Sequence, residues 1–304
     1  MTEAPLAPAA ASPADFLDPA HRLWWLLALY GFIALIYARG LWRRRRTADV
    51  LPALAFFAGL AGLYLFTQTG LDTLGRRLFY VHRLQHLVLH HLAPFLIALA
   101  APSAVLVSGL PAAARLARRL RRLPRRWVAP VIAGYRAIQQ PVLGALLFVG
   151  LIALWLTPAV HHLAMASGFG YWLMNLSMAI EGLAFWWFML DRRLPGSHPT
   201  THGIGTRIVV LWAVMPPQIA IGAFITLAPV GLYPGYGPAE QAYGISPGVD
   251  QQVGGLLTWI PPAMMSLVGT LVLMRFGFVQ HRDRSRPGVR HGDPDRAGNP
   301  TSGE

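Results

Sequence analysis

Apolar residues run along this chain in long blocks separated by short polar or arginine-rich clusters, with no sustained period-two alternation. Seven blocks, near residues 22–39, 50–68, 78–107, 141–160, 171–190, 206–228 and 254–278, approach or exceed the roughly 20 apolar residues that carry an α-helix across a bilayer. The pattern predicts an all-α integral membrane protein, a bundle of about seven transmembrane helices filling residues 21–280. The flanks, 1–20 and 281–304, are rich in Pro, Ala, Gly and charge, and read as a disordered leader and a disordered tail. No internal repeat, Gly-rich phosphate loop or separate soluble catalytic domain interrupts the pattern.

Charge adds a direction. All 26 basic residues are arginine, and the net charge is +13 in a chain that is 54% hydrophobic and only 13% charged. Threading the chain through seven crossings puts 22 of the 26 arginines on one side: five in 39–46, eight between Arg115 and Arg136, then Arg192, Arg193 and Arg207, and six from Arg275 onward. Under the positive-inside rule that side is the cytoplasm, so the N-terminus is expected outside and the C-terminus inside. The first block is not a cleaved signal peptide, because its N-terminal flank is acidic (Glu3, Asp15, Asp18) and its basic cluster follows the apolar run. The positive charge thus serves topology and attraction to the anionic lipid bilayer. Nucleic-acid binding is not indicated, since no soluble domain interleaves basic and aromatic residues. Cysteine is absent, which excludes disulfides, thiolate metal sites and thiol nucleophiles.

Candidate chemistry concentrates in the third block, "FYVHRLQHLVLHHLAPFLIALAAP". His82, His86 and His90 recur every four residues and share one helical stripe about 12 Å long, while His91 points about 100° away. Polar side chains inside a membrane need partners and mark functional sites by default. Pro94 withholds a donor from the His90 carbonyl, which predicts a kink just below the stripe. Residues able to complete a site are His161 and His162 after the fourth block, Met174, Asn175 and Met178 in the fifth, and Asp250 with Gln251 and Gln252 before the seventh. Met215, Met264 and Met265 sit deeper beside proline pairs, where methionine usually fills core. Imidazole with thioether suits copper, and imidazole with carboxylate permits zinc or iron. "HRLQH" places Gln85 where a zinc protease needs its glutamate base. "HRLQH", "HLVLHH" and "HPTTH" superficially resemble the histidine boxes of membrane di-iron enzymes, but His198 and His202 belong to the opposite side of the membrane. A bis-histidine haem would need 161/162 to face 82/86.

Three blocks in order, "HRLQHLVLHHLAPFLIALAAP", "NLSMAIEGLAFWWFMLD" and "DQQVGGLLTWIPPAMMSLVG", resemble the caa3-type assembly factors of cytochrome c oxidase, the CtaG group. The resemblance implies a multi-pass protein of the bacterial cytoplasmic membrane that is not an enzyme. It also implies work with oxidase subunits, and binding or delivery of copper, received from a periplasmic donor, during oxidase maturation. The family's H-x-x-x-H falls on His82 and His86, and its Asp-Gln on Asp250 and Gln251. Two positions depart from it: Leu156 stands where relatives have histidine in a Trp-His-x-Pro, and Asn175 where they have one in the fifth helix. The expected copper ligands are therefore His82, His86, His90, His161, His162, Asp250, Met174 and Met178. The rival functions are a membrane metalloenzyme, di-iron or haem, using the same histidines, and a metal-free assembly scaffold.

Overall fold

The computed structural model describes residues 23–44, 50–111, 124–193, 197–198 and 200–284. The leader 1–20, the arginines from 115 to 122 and the chain from 285 lie outside the described residues. Among the described residues all regular structure is helical. We number the helices α1 (Trp24–Arg44), α2 (Val50–Gln68), α3 (Gly70–Gly75), α4 (Phe79–Leu99), α5 (Ser103–Gly109), α6 (Arg125–Ile138), α7 (Pro141–Leu156), α8 (Pro158–Met165), α9 (Gly168–Met189), α10 (Ile204–Leu227), α11 (Gly237–Tyr243) and α12 (Pro247–Arg284).

Four helices, α1, α2, α10 and α12, are each long and apolar enough to cross a bilayer alone. Three helix pairs pass the same test together but are bent at short breaks: α4 with α5 by 73°, α6 with α7 by 79°, and α8 with α9 by 118°. Counted as one span each, they bring the total to seven, as the apolar blocks predict. The breaks follow local chemistry. Pro141, at the α6–α7 break, occupies the first helical turn of α7, where a missing N–H costs nothing. Ser167 caps α9 by accepting from the Gly170 N–H at 2.9 Å.

Helix α4 is the centre of the bundle, packed against α2, α9 and α12, and α10 and α12 form the most extensive helix pair. At Gly222 of α10 an added Cβ would collide with the Trp259 side chain of α12, so glycine is what lets those helices close. α4 is α-helical over Phe79–His86, π-helical over Leu87–Leu92 and α-helical again over Ala93–Leu99. The Ala93 N–H reaches the Val88 carbonyl, five residues back, so Pro94 falls in the first turn of a new α segment. The strain expected as a kink is absorbed as one wide turn, and the axis breaks only after Leu99. Nor is the His90 carbonyl left open: it packs on Gly182 of α9, where a Cβ would overlap it.

Candidate functional site

The stripe on α4 divides into two neighbourhoods. Near the arginine-poor end, His82 is fully buried, with its ring centroid 4.3 Å from that of His86 and 5.1 Å from that of His161 on α8. Both nitrogens of His82 lack a hydrogen-bond partner. Its two neighbours are each held from both sides. Arg83, which can only donate, contacts His86 Nδ1 at 3.3 Å, so His86 carries its proton on Nε2 and donates to Asn175 Oδ1 at 3.1 Å. His161 donates from Nδ1 to the Trp155 carbonyl at 3.0 Å, and its Nε2 accepts from the Tyr236 hydroxyl at 2.9 Å. Burial pushes the Tyr236 phenol well above its ordinary value, which keeps this donor protonated.

The remaining expected ligands are placed as follows. His162 is exposed and lines a 220 Å³ pocket with Met165, Tyr233 and Tyr236, with His161 in its wall. Met178 is buried among Phe79, Ile152, Tyr233 and Tyr236, and Met174 among Ala164 and Tyr171. Asp250 takes a different position: its carboxylate accepts the backbone N–H groups of Phe79 at 2.8 Å and Tyr80 at 2.6 Å, capping the N-terminus of α4 from α12. Both its oxygens are thereby engaged away from the imidazoles. Gln251 ties down the loop before α11, accepting from Gly231 and Leu232 and donating to the Ile225, Ala228 and Pro229 carbonyls.

One turn below His86 the chemistry changes. His90 does not join the upper imidazoles; its Nε2 lies 2.6 Å from Glu181 Oε2 of α9, and its ring stacks on Phe148 at 4.2 Å. His90 Nδ1, both nitrogens of His91 and Glu181 Oε1 have no partner there. Glu181 is the residue that ligand-type reasoning passed over, although a lone carboxylate within "NLSMAIEGLAFWWFM" is a visible signal. His198 and His202 stay at the arginine-rich end, where His198 Nδ1 contacts Thr200 and the His202 carbonyl accepts from Arg207.

The upper cluster offers one free imidazole, His161 whose Nε2 is free only if Tyr236 releases it, and His86 whose unprotonated Nδ1 is free only if the Arg83 guanidinium moves away. Among the described residues no group of three or more His, Asp or Glu side chains is set in metal-holding geometry as it stands. The donor set is neutral and holds no carboxylate, so it fits a soft cation of low charge better than a hard dication.

No solved structure matches this chain significantly. It is 26% identical over 268 residues to an uncharacterized protein of Mycobacterium leprae, covering 83% of this chain and 39% of that protein. It is 25% identical over 279 residues to an uncharacterized protein of Mycobacterium bovis, covering 87% of this chain and 40% of the relative. The chain thus spans about two fifths of the length of these curated relatives. The model of the cytochrome c oxidase caa3 assembly factors, by contrast, matches residues 35–276, from within α1 through most of α12 and across every element of the histidine cluster, and the chain belongs to that family.

Proposed function

We propose that this protein carries copper as cargo during maturation of a caa3-type cytochrome c oxidase, receiving the ion at His82, His86 and His161 and passing it to an oxidase subunit. The observation that supports this is His82: a fully buried imidazole with neither nitrogen partnered, facing two further imidazoles. An unpaired polar group in a membrane interior is costly, and a cation is the partner that this surrounding of ring nitrogens would satisfy.

Each residue has a role in that reading. His82 supplies the first nitrogen. His161 and His86 add theirs as the Tyr236 hydroxyl and the Arg83 guanidinium let go, so loading exchanges hydrogen bonds for ligand bonds and unloading restores them. This keeps the ion removable, as a carrier requires. Arg83 raises the cost of extra positive charge and so biases the site towards a singly charged ion. The exposed His162, beside Met165, stands at the mouth of the neighbouring pocket, where a periplasmic donor would approach. No bond-making on a substrate is called for, and the protein acts as a carrier, not an enzyme. In this reading the arginine-rich side faces the cytoplasm, the membrane is the bacterial cytoplasmic one, and the histidine end faces outward.

The test is metal analysis of the detergent-purified protein beside a His82→Ala/His86→Ala double variant after exposure to Cu(I) under reducing conditions. Copper retained by the first and lost by the second supports the carrier. Equal copper in both would place the ion away from these imidazoles and overturn the site, and none in either with a normal oxidase would point to a metal-free scaffold.

A further inference from the structure

A large groove lies at the arginine-rich end, away from the cluster of His82, His86 and His161. It has a volume of 810 Å³ and runs between α2 and α12 with the lower part of α4 as its floor. Its walls are two helical stripes of the same spacing: Leu51, Leu54, Ala55 and Ala58 on α2, and Val272, Arg275, Phe276 and Val279 on α12. Positions i, i+3, i+4 and i+7 lie along one helix face, so each stripe is continuous over about 10 Å. The two alanines make the α2 wall shallow where leucines would have closed it.

This apolar trough also carries two cations. Arg192, just beyond α9, donates to the Leu99 carbonyl at 2.6 Å and sits 5.3 Å from the Phe276 ring, which fixes its guanidinium across the rim. Arg275 projects exposed from the α12 wall with no hydrogen-bond or carboxylate partner among the described residues. No acidic side chain lines the groove. The nearest carboxylate on this chain segment, Asp191, is turned to Arg193 at 2.6 Å. Two guanidiniums therefore line an otherwise apolar channel, Arg275 between Val272 and Val279 on its wall and Arg192 beside Phe276, and neither has a carboxylate partner among the described residues.

We propose that this groove is a binding site for an anionic diacyl phospholipid, with the headgroup phosphate on Arg275 and Arg192 and an acyl chain along the α2–α12 trough. Guanidinium geometry matches a phosphodiester bidentately. The placement also agrees: both cations stand in the groove at the arginine-rich end, with Val272, Leu96 and Ala58 left to line an acyl chain, and basic pockets between membrane helices recognise anionic lipid in this way. A soluble phosphate would use the arginines and leave the trough unused; a neutral lipid would use the trough and leave Arg275 unpaired. The bound lipid would seal α2 to α12, two helices that both flank α4, without touching the histidine cluster. The proposal is independent of whether copper is carried.

Native mass spectrometry of the full-length protein, released from nanodiscs of equal parts phosphatidylglycerol and phosphatidylcholine, tests it. The wild type should retain phosphatidylglycerol more than tenfold over phosphatidylcholine, since each headgroup arginine is worth about fivefold. Arg275→Gln, a change at an exposed and unpaired side chain, should lower that preference about fivefold and leave folding intact. Ala58→Trp should fill the trough and reduce retention of both lipids. Arg39→Gln, on an exposed arginine of α1 at the same end but outside the groove, should leave the preference unchanged. Equal retention of both lipids by the wild type, or an Arg39→Gln effect as large as that of Arg275→Gln, would overturn the site in favour of general surface charge.

Discussion

His82 and His90 lie two turns apart on one helix, both fully buried, and their surroundings differ in nearly every respect. His82 has no partner and faces imidazoles, while His90 is paired with Glu181 and stacked on Phe148. Equal spacing along α4 therefore does not confer equal chemistry. The opposing helix decides it: α8 presents another imidazole to the upper turn, and α9 presents a carboxylate to the lower one. A free nitrogen can take a new ligand, whereas a nitrogen already bound to a carboxylate oxygen serves first to satisfy that buried group.

The sharpest way to break this contrast is to remove each imidazole in turn. His82→Ala should lower copper retention by more than about tenfold, and His90→Ala by less than about twofold, read as copper per protein after desalting. Matching losses would mean that the two halves form one site. Next in size is the lower half itself. Glu181→Ala strands His90 Nε2 in the interior and should cost about 1–3 kcal/mol in unfolding experiments in detergent, with Glu181→Gln, which still offers an oxygen, costing less. A Glu181→Gln protein that unfolds like wild type yet loses its copper would move the carboxylate into the metal site.

Asp250 offers a smaller test of the same kind. Asp250→Asn keeps the shape and one acceptor oxygen but loses the charge at the N-terminus of α4, and should cost about 0.5–2 kcal/mol while copper content stays within twofold. A copper loss exceeding the stability loss would return Asp250 to the list of ligands. The smallest effect is at the loop above the site. Burial, then the adjacent Asp250 carboxyl, pushes Glu240 of α11 up from 4.5 to about 7. A raised carboxyl pKa means that the folded state binds the proton more tightly. The stability it contributes is full below the unfolded carboxylate range and falls as pH rises from about 4.5 through 7. Glu240→Gln should flatten that slope in unfolding midpoints measured between pH 4.5 and 7.5.

Much of the architecture was legible from the chain. Long apolar blocks report spans because a bilayer leaves few alternatives, and the His82–His86 pair was visible because four-residue spacing is a local property of a helix. The convergence of His161 on His82 was named as one possibility among several. It could not be chosen, because it depends on α8 folding back by 118° over α9. Asp250 shows the opposite failure. Its charge and position suit a cation, but the partner it meets is a helix N-terminus 171 residues earlier, and spacing carries no information about that. Pro94 was correctly flagged as a disturbance, yet whether a proline is absorbed by a kink or a wide turn depends on packing such as that of the His90 carbonyl on Gly182.

The wide turn at Leu87–Leu92 also changes how α4 can be altered. A π segment holds one residue more than the α-turn it replaces, so it works as a phase offset between the parts above and below it. Deleting a single residue there would restore a regular helix and leave the two parts facing as they do now, whereas a deletion elsewhere in α4 would swing one part about 100° against the other. After a deletion within the wide turn Phe95 and Ile97 would keep their present pockets, and His82 and His86 theirs. The helix is thus two keys joined by a spare link, and a one-residue deletion, usually ruinous in a membrane span, becomes here one that both keys should survive.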